Sequence, residues 1–120
     1  MTTPPKPVGP YTPIVRAGEW LVVSGQVGLA NGEIVSGGLE AELRQAISNL
    51  AAQLASQGAG LTDVVKTTVF LRHMNDFAVM NEAYAEAFGD HRPARSAIGV
   101  AELPVGALVE VEAWAYAPTG

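Results

Sequence analysis

The sequence predicts an α+β sandwich, a sheet carrying two helices on one face. Apolar residues recur at helical spacing in two stretches, 39–54 and 77–88. Runs rich in Val, Ile, Thr and aromatic residues stand before, between and after those stretches, and the closing run divides its side chains into two chemically different sets at period two. The order is strands, helix, strand, helix, strands, in one domain spanning residues 1–120. A chain of 120 residues, 48% hydrophobic but only 7% aromatic, suffices for one closely packed core and not for two.

The opening "MTTPPKPVGPY" reads as loose up to Gly9. It has no apolar core of signal-peptide length, and no later run approaches the roughly 20 residues of a membrane span, so a cytoplasmic protein without a membrane partner is expected. "EWLVVSGQVGLANGEIV" carries a strand from Trp20 to Val23, then Ser24-Gly25-Gln26, and a hairpin-like turn at Asn31-Gly32. After Gly37-Gly38, Leu39, Leu43, Ile47, Leu50 and Leu54 form the apolar stripe of a helix that stops at Gly58, with Glu40 four residues before Arg44.

"DVVKTTVFLRH" reads as a strand. The next stretch returns to helical period through Phe77, Met80, Tyr84 and Phe88, with Asn75 or Asp76 able to cap its start and Gly89 to end it. Two further strands, "RSAIGVAE" and "ALVEVEAWAYA", flank a turn at Pro104 and Gly106. In the last one Ala107, Val109, Val111, Ala113 and Ala115 share one face, and Leu108, Glu110, Glu112, Trp114 and Tyr116 the other. Carboxylates beside large aromatics suit a subunit interface with a wet pocket, so a homo-oligomer is expected.

Composition excludes several functions. With no cysteine, disulfides, thiolate zinc sites and cysteine nucleophiles drop out. His73 and His91 stand apart with no second ligand at metal spacing, so no metal site is expected. Gly25 and Gly28 lack the spacing and the Lys-Ser/Thr ending of a phosphate loop, and Ser24 has no His-Asp relay. A net charge of −5, with seven basic residues scattered singly, disfavours nucleic acid as a partner.

Arg95 stands between a proline-led turn and an apolar strand. It is either a surface arginine paired with Asp90 or Glu102, which the residue pattern alone favours, or a planar fork for a ligand carboxylate. Glu110 and Glu112 are either a solvated strand edge or an acid/base pair. Asn81 lies within an apolar helical stripe, where its amide either braces backbone or meets a ligand. Tyr11, in "GPYTP", is aimed by the prolines on either side of it.

Taken together, "GPYTP", "SGQVGL", "DVVKTTVFLRHMNDFAVMNEAYAEAF", "RPARSAIGVAELP" and "ALVEVEAWA" resemble, in order and spacing, the Rid family, also called YjgF/UK114. The resemblance runs nearly end to end. It implies a fold like the Bacillus-type chorismate mutase: a six-stranded sheet with two helices on one face, assembled as a trimer with pockets between subunits. It implies hydrolytic deamination of 2-imino acids and their enamine tautomers to 2-oxo acids and ammonia, with no cofactor. Arg95 matches the arginine that holds the substrate carboxylate, and Glu110 the glutamate that positions water. Tyr11, Ser24, Gly25, Asn81 and Ala97 match pocket-lining positions, Ala97 replacing the family's common cysteine, while Glu42 stands where glutamine is usual. An endoribonuclease or translation inhibitor, and a non-catalytic trimer binding small carboxylates, are the alternatives.

Overall fold

The computed structural model describes residues 3–119. Alternation in the closing run sets the frame. Val109, Val111, Ala113 and Ala115 are fully buried, whereas Trp114 and Tyr116 are 48% and 43% exposed on the opposite face. The run is β7 (Val109–Tyr116), the middle strand of the sheet. Before it come β1 (Ile14–Ala17), β2 (Trp20–Gln26), β3 (Leu29–Ala30), β4 (Glu33–Ile34), α1 (Gly38–Ala55), β5 (Val64–Leu71), α2 (Phe77–Phe88) and β6 (Ala94–Gly99). The sheet runs β1-β2-β7-β5-β6 and is mixed: β5 and β6 are parallel, the other neighbours antiparallel.

One expectation about strands is corrected, and one strand goes unannounced in the sequence. Among the described residues the sheet has five strands rather than six, because the chain leaves it after an irregularity between Val23 and Gln26 and forms a separate ribbon, β3–β4. Asn31 and Gly32 close that ribbon with φ of 55° and 81°, as their turn chemistry requires. Each ribbon strand is only two residues long, and the ribbon is tied to α1 rather than to a sheet edge: the Asn49 amide donates to the carbonyls of Val27 (2.9 Å) and Leu29 (3.0 Å). β1, in turn, is a strand that the sequence pattern does not announce, because it is four residues long and interrupted by Arg16.

Both helices lie on the face that carries the small residues of β7. From α1, Leu39, Leu43, Ile47, Leu50 and Leu54 enter the core as their spacing requires. From α2, Met80, Tyr84 and Phe88 do so, but Phe77 does not. It stays 39% exposed in the helix's first turn, with its ring turned to the Arg95 guanidinium of the edge strand β6. Asp76 occupies the N-cap position without a side-chain capping bond, since a single 3₁₀ turn over Met74–Asp76 leads the chain in. Arg44 links Glu40 (3.7 Å) to Glu86 of α2 (2.6 Å), on a solvent-exposed surface where ion pairs contribute little. Leu50 is completely buried, so Leu50→Ala should lose about 2–5 kcal/mol, read as a lower urea midpoint at unchanged slope. A shift of less than a few tenths of that range would show that the α1 stripe does not hold the core. Among the described residues, no helix is long and apolar enough to cross a membrane.

Candidate active site

Glu110 lies on the face of β7 that the helices leave open, opposite Phe70 of β5. Its carboxylate occupies the place a side chain on Gly25 would take: a Cβ there would stand 2.5 Å from Glu110 Oε2. Gly25 thus makes room for the carboxylate at the irregularity of β2. Beside it, the Ser24 hydroxyl donates to the Thr12 carbonyl (2.7 Å) and the Ser24 amide to the Pro13 carbonyl (2.9 Å). These bonds hold the "GPYTP" loop against β2. Tyr11 on that loop accepts, at its hydroxyl, a 3.3 Å hydrogen bond from the Val8 amide.

These residues share a cleft of about 250 Å³, whose lining includes Tyr11, Ser24, Gly25, Gln26, Gln53 and Glu110. The N-terminal stretch expected to be loose lies along it, with Pro5, Lys6, Pro7 and Val8 forming one wall; Thr2 lies outside the described residues. Burial, and then the charge of Glu112, push the Glu110 carboxyl above the usual glutamate range. A carboxylate that holds its proton more tightly is a stronger base toward water. Because Gly25 has no space for even a methyl group, Gly25→Ala should displace the carboxylate and lower any turnover that depends on it by about tenfold or more. Unchanged kcat in a folded Gly25→Ala protein would contradict this placement.

Arg95 lies elsewhere. On β6 it stands opposite Thr67 of β5, which is fully buried and hydrogen-bonded through its hydroxyl to Tyr84 of α2 (2.7 Å). Arg95 therefore faces the helices, not the open face. Its guanidinium carbon lies 5.0 Å from the Tyr84 ring centroid and 5.7 Å from that of Phe77, and Nη1 donates to the Met80 thioether at 3.5 Å. Among the described residues no carboxylate lies within ion-pair distance of it. The pairing with Asp90 or Glu102 favoured by the residue pattern is thus corrected: aromatic faces, not acids, surround the charge. Ala97, two residues along the same strand, shares this face. Asn81 belongs to the same side of α2 as Phe77 and Tyr84, and its Oδ1 is buried without a partner among the described residues.

The candidate residues thus form two groups in one chain. Glu110, Gly25, Ser24 and Tyr11 gather at the cleft, whereas Arg95, Asn81 and Ala97 lie on the helix side of the sheet. Sequence reasoning gave Glu42 no role and missed the buried polar residues Gln26 and Gln53 of the cleft. Gln26 and Gln53 line it, and Glu42 Oε1 accepts from the Leu108 amide (2.8 Å), fixing the approach to β7. Their signal was present: Glu42, Asn49 and Gln53 are buried polar residues of α1 at helical intervals among its leucines. Gly28 has the same kind of role as Gly25, since a Cβ there would fall 2.7 Å from the Glu42 carbonyl oxygen. Among the described residues no cluster of His, Asp or Glu could hold a metal ion.

Residues 1–117 match the family described as Endoribonuclease L-PSP. A RutC family protein of Pyrococcus horikoshii is 48% identical over 114 residues, 93% of this chain and 90% of that protein. The 2-iminobutanoate/2-iminopropanoate deaminase of Mus musculus is 45% identical over 114 residues, 93% of this chain and 84% of the mouse protein. Among solved structures, E. coli TdcF with bound serine superposes with a TM-score of 0.89 at 35% identity, covering 94% of this chain and 92% of TdcF.

Proposed function

The chain belongs to the Rid (YjgF/UK114) family, and on that premise we propose that it hydrolyses reactive 2-imino acids to 2-oxo acids and ammonia in a site built between copies of itself. One observation carries the reading: an arginine with no acidic partner among the described residues and a desolvated glutamate lie on opposite sides of one sheet. A single chain cannot turn both toward one small molecule, but the boundary between two copies can. The deaminase name of the mouse relative and the serine bound to TdcF support a small α-carboxylate ligand.

In this reading the Arg95 guanidinium of one copy grips the substrate carboxylate through its planar fork. The Glu110 carboxylate of the neighbour accepts a proton from water as the water oxygen bonds to the imine carbon. The proton taken by Glu110 passes to the nitrogen of the carbinolamine so formed, the hydroxyl gives up its proton as the carbon–nitrogen bond breaks and the carbonyl forms, and ammonia leaves a 2-oxo acid. Asn81, whose carbonyl oxygen has no partner among the described residues, supplies an acceptor beside the clamp. Tyr11 and Ser24 shape the wall, and the backbone N–H of Ala97 is available to the ligand. Neither a metal nor an organic cofactor takes part in these steps.

The test is hydrolysis of 2-iminopropanoate and 2-iminobutanoate generated in situ and followed against the spontaneous rate. Acceleration proportional to protein concentration is expected. A folded protein that binds the 2-oxo acids without acceleration would instead be a carboxylate-binding module. Net charge −5 gives no support to an RNA-cleaving role.

The open sheet face supports the trimer. Trp20 packs edge-on against Trp114 (6.5 Å between centroids) and Tyr116 (5.2 Å), and Val15 and Ile98 are exposed on the two edge strands of the sheet. An apolar aromatic face of this kind needs cover. Sedimentation equilibrium should return about three times 12.5 kDa. A monomer at micromolar concentration would contradict the shared site.

A further inference from the structure

The surroundings of Arg95 pose a problem that the clamp reading does not answer. A guanidinium orients a carboxylate only if its plane is fixed, and arginine side chains are usually fixed by acids that consume their N–H donors. Here no acid lies within ion-pair distance among the described residues, and the hydrogen bond that Arg95 makes is a 3.5 Å contact to the Met80 sulfur. What lies against the guanidinium is the Tyr84 ring at 5.0 Å. That ring is in turn anchored. Its hydroxyl is hydrogen-bonded at 2.7 Å to Thr67, a fully buried residue directly across the ladder from Arg95. Tyr84 itself is only 5% exposed and packs at a tilt against Phe88, 4.7 Å between centroids.

We propose that Thr67 and Tyr84 form a positioning unit that sets the plane of the Arg95 guanidinium and leaves its N–H fork free for the ligand. The inference rests on the carboxylate-clamp reading. An aromatic face attracts the cation through its quadrupole without engaging the N–H edge, so the charge is held while the donors stay available. Burial also pushes the Tyr84 phenol above its ordinary range, against the lowering effect of the Thr67 hydrogen bond and of Arg95 and Arg92, so the ring remains a neutral platform. The β5–β6 ladder brings all three members into register: Thr67 and Arg95 are strand neighbours, and the Tyr84 hydroxyl bonds to one while its ring faces the other.

The test measures the Kd of 2-oxobutanoate by calorimetry, with KM and kcat for 2-iminobutanoate, in the wild type, Tyr84→Leu, Thr67→Val, Arg95→Lys and the Tyr84→Leu/Arg95→Lys double variant. Tyr84→Leu should weaken binding by about tenfold and raise KM alike, with kcat nearly unchanged, because the clamp acts equally on ground and transition states. Thr67→Val keeps the core volume and should produce a smaller loss of the same kind. An ammonium has no plane to set, so in the Arg95→Lys background the Tyr84→Leu effect should shrink to about twofold. A lower melting temperature with unchanged Kd in Tyr84→Leu and Thr67→Val would overturn the positioning role, as would an undiminished tenfold effect in the Arg95→Lys background. An Arg95→Lys protein that binds 2-oxobutanoate as tightly as wild type, or a wild type that does not bind it, would overturn the clamp itself, and the positioning unit with it.

Discussion

Arg95→Ala is expected to bring imine hydrolysis at substrate concentrations below the wild-type KM down to near the spontaneous rate while leaving a folded oligomer. A charge-assisted hydrogen bond contributes roughly 1.5–3 kcal/mol net, so losing a bidentate pair should lower kcat/KM on the order of a hundredfold or more. Stability should change little, because among the described residues no carboxylate lies within ion-pair distance to be stranded. What is lost is a contact with two aromatic rings. Arg95→Lys should restore activity only in part, since it returns the charge without the fork. Melting and deamination measured side by side decide between roles: full activity per folded molecule in Arg95→Ala would remove the residue from the site.

Glu110→Gln is expected to act on a different parameter. An amide still hydrogen-bonds to water but cannot take its proton, so kcat should fall by about 10²–10⁴-fold with carboxylate affinity retained. Because burial and Glu112 raise the carboxyl's pKa, the acid limb of the wild-type profile should lie above the ordinary glutamate range and vanish in the variant. The same shift fixes the sign for stability. A carboxyl whose folded pKa lies above its unfolded one stabilises the fold below the unfolded value and loses that contribution as pH rises through the folded one. Gln does not ionise and escapes the loss, so at neutral pH Glu110→Gln should melt no lower than wild type. Intact kcat would move the base elsewhere, with Glu112, on the same face, the next candidate.

Much of this arrangement is legible in the residues themselves. The leucines of α1 and the two-faced β7 follow from period alone, and both faces are as their chemistry requires. Asn81 is conspicuous in an apolar stripe, and its Oδ1 is the buried side-chain atom left without a partner among the described residues. Other features depend on geometry that no local pattern carries. The environment of Arg95 is set by a β5–β6 register between segments far apart in the chain, so nearness to Asp90 and Glu102 in sequence misleads. Gly25 draws attention as part of a pocket motif, but its physical reason, room for the Glu110 carboxylate, emerges only when β2 and β7 pair. The separation of Arg95 and Glu110 onto opposite faces depends on the parity of two ladders, in which Arg95 pairs with Thr67 and Glu110 with Phe70. The short strands around Asn31-Gly32 and Ile14–Ala17 escape because two to four residues carry too little periodicity to read.

Mixing the two crippled variants tests most directly whether one copy contributes Arg95 and its neighbour Glu110. Arg95→Ala and Glu110→Gln chains, each inactive alone, are co-refolded in equal amounts and assayed on 2-iminobutanoate. In a cyclic trimer every mixed assembly has one boundary where an intact Arg95 meets an intact Glu110, so about a quarter of wild-type activity should return. Mixed trimers that form, as shown by mass, yet stay at the spontaneous rate would contradict a site shared between copies.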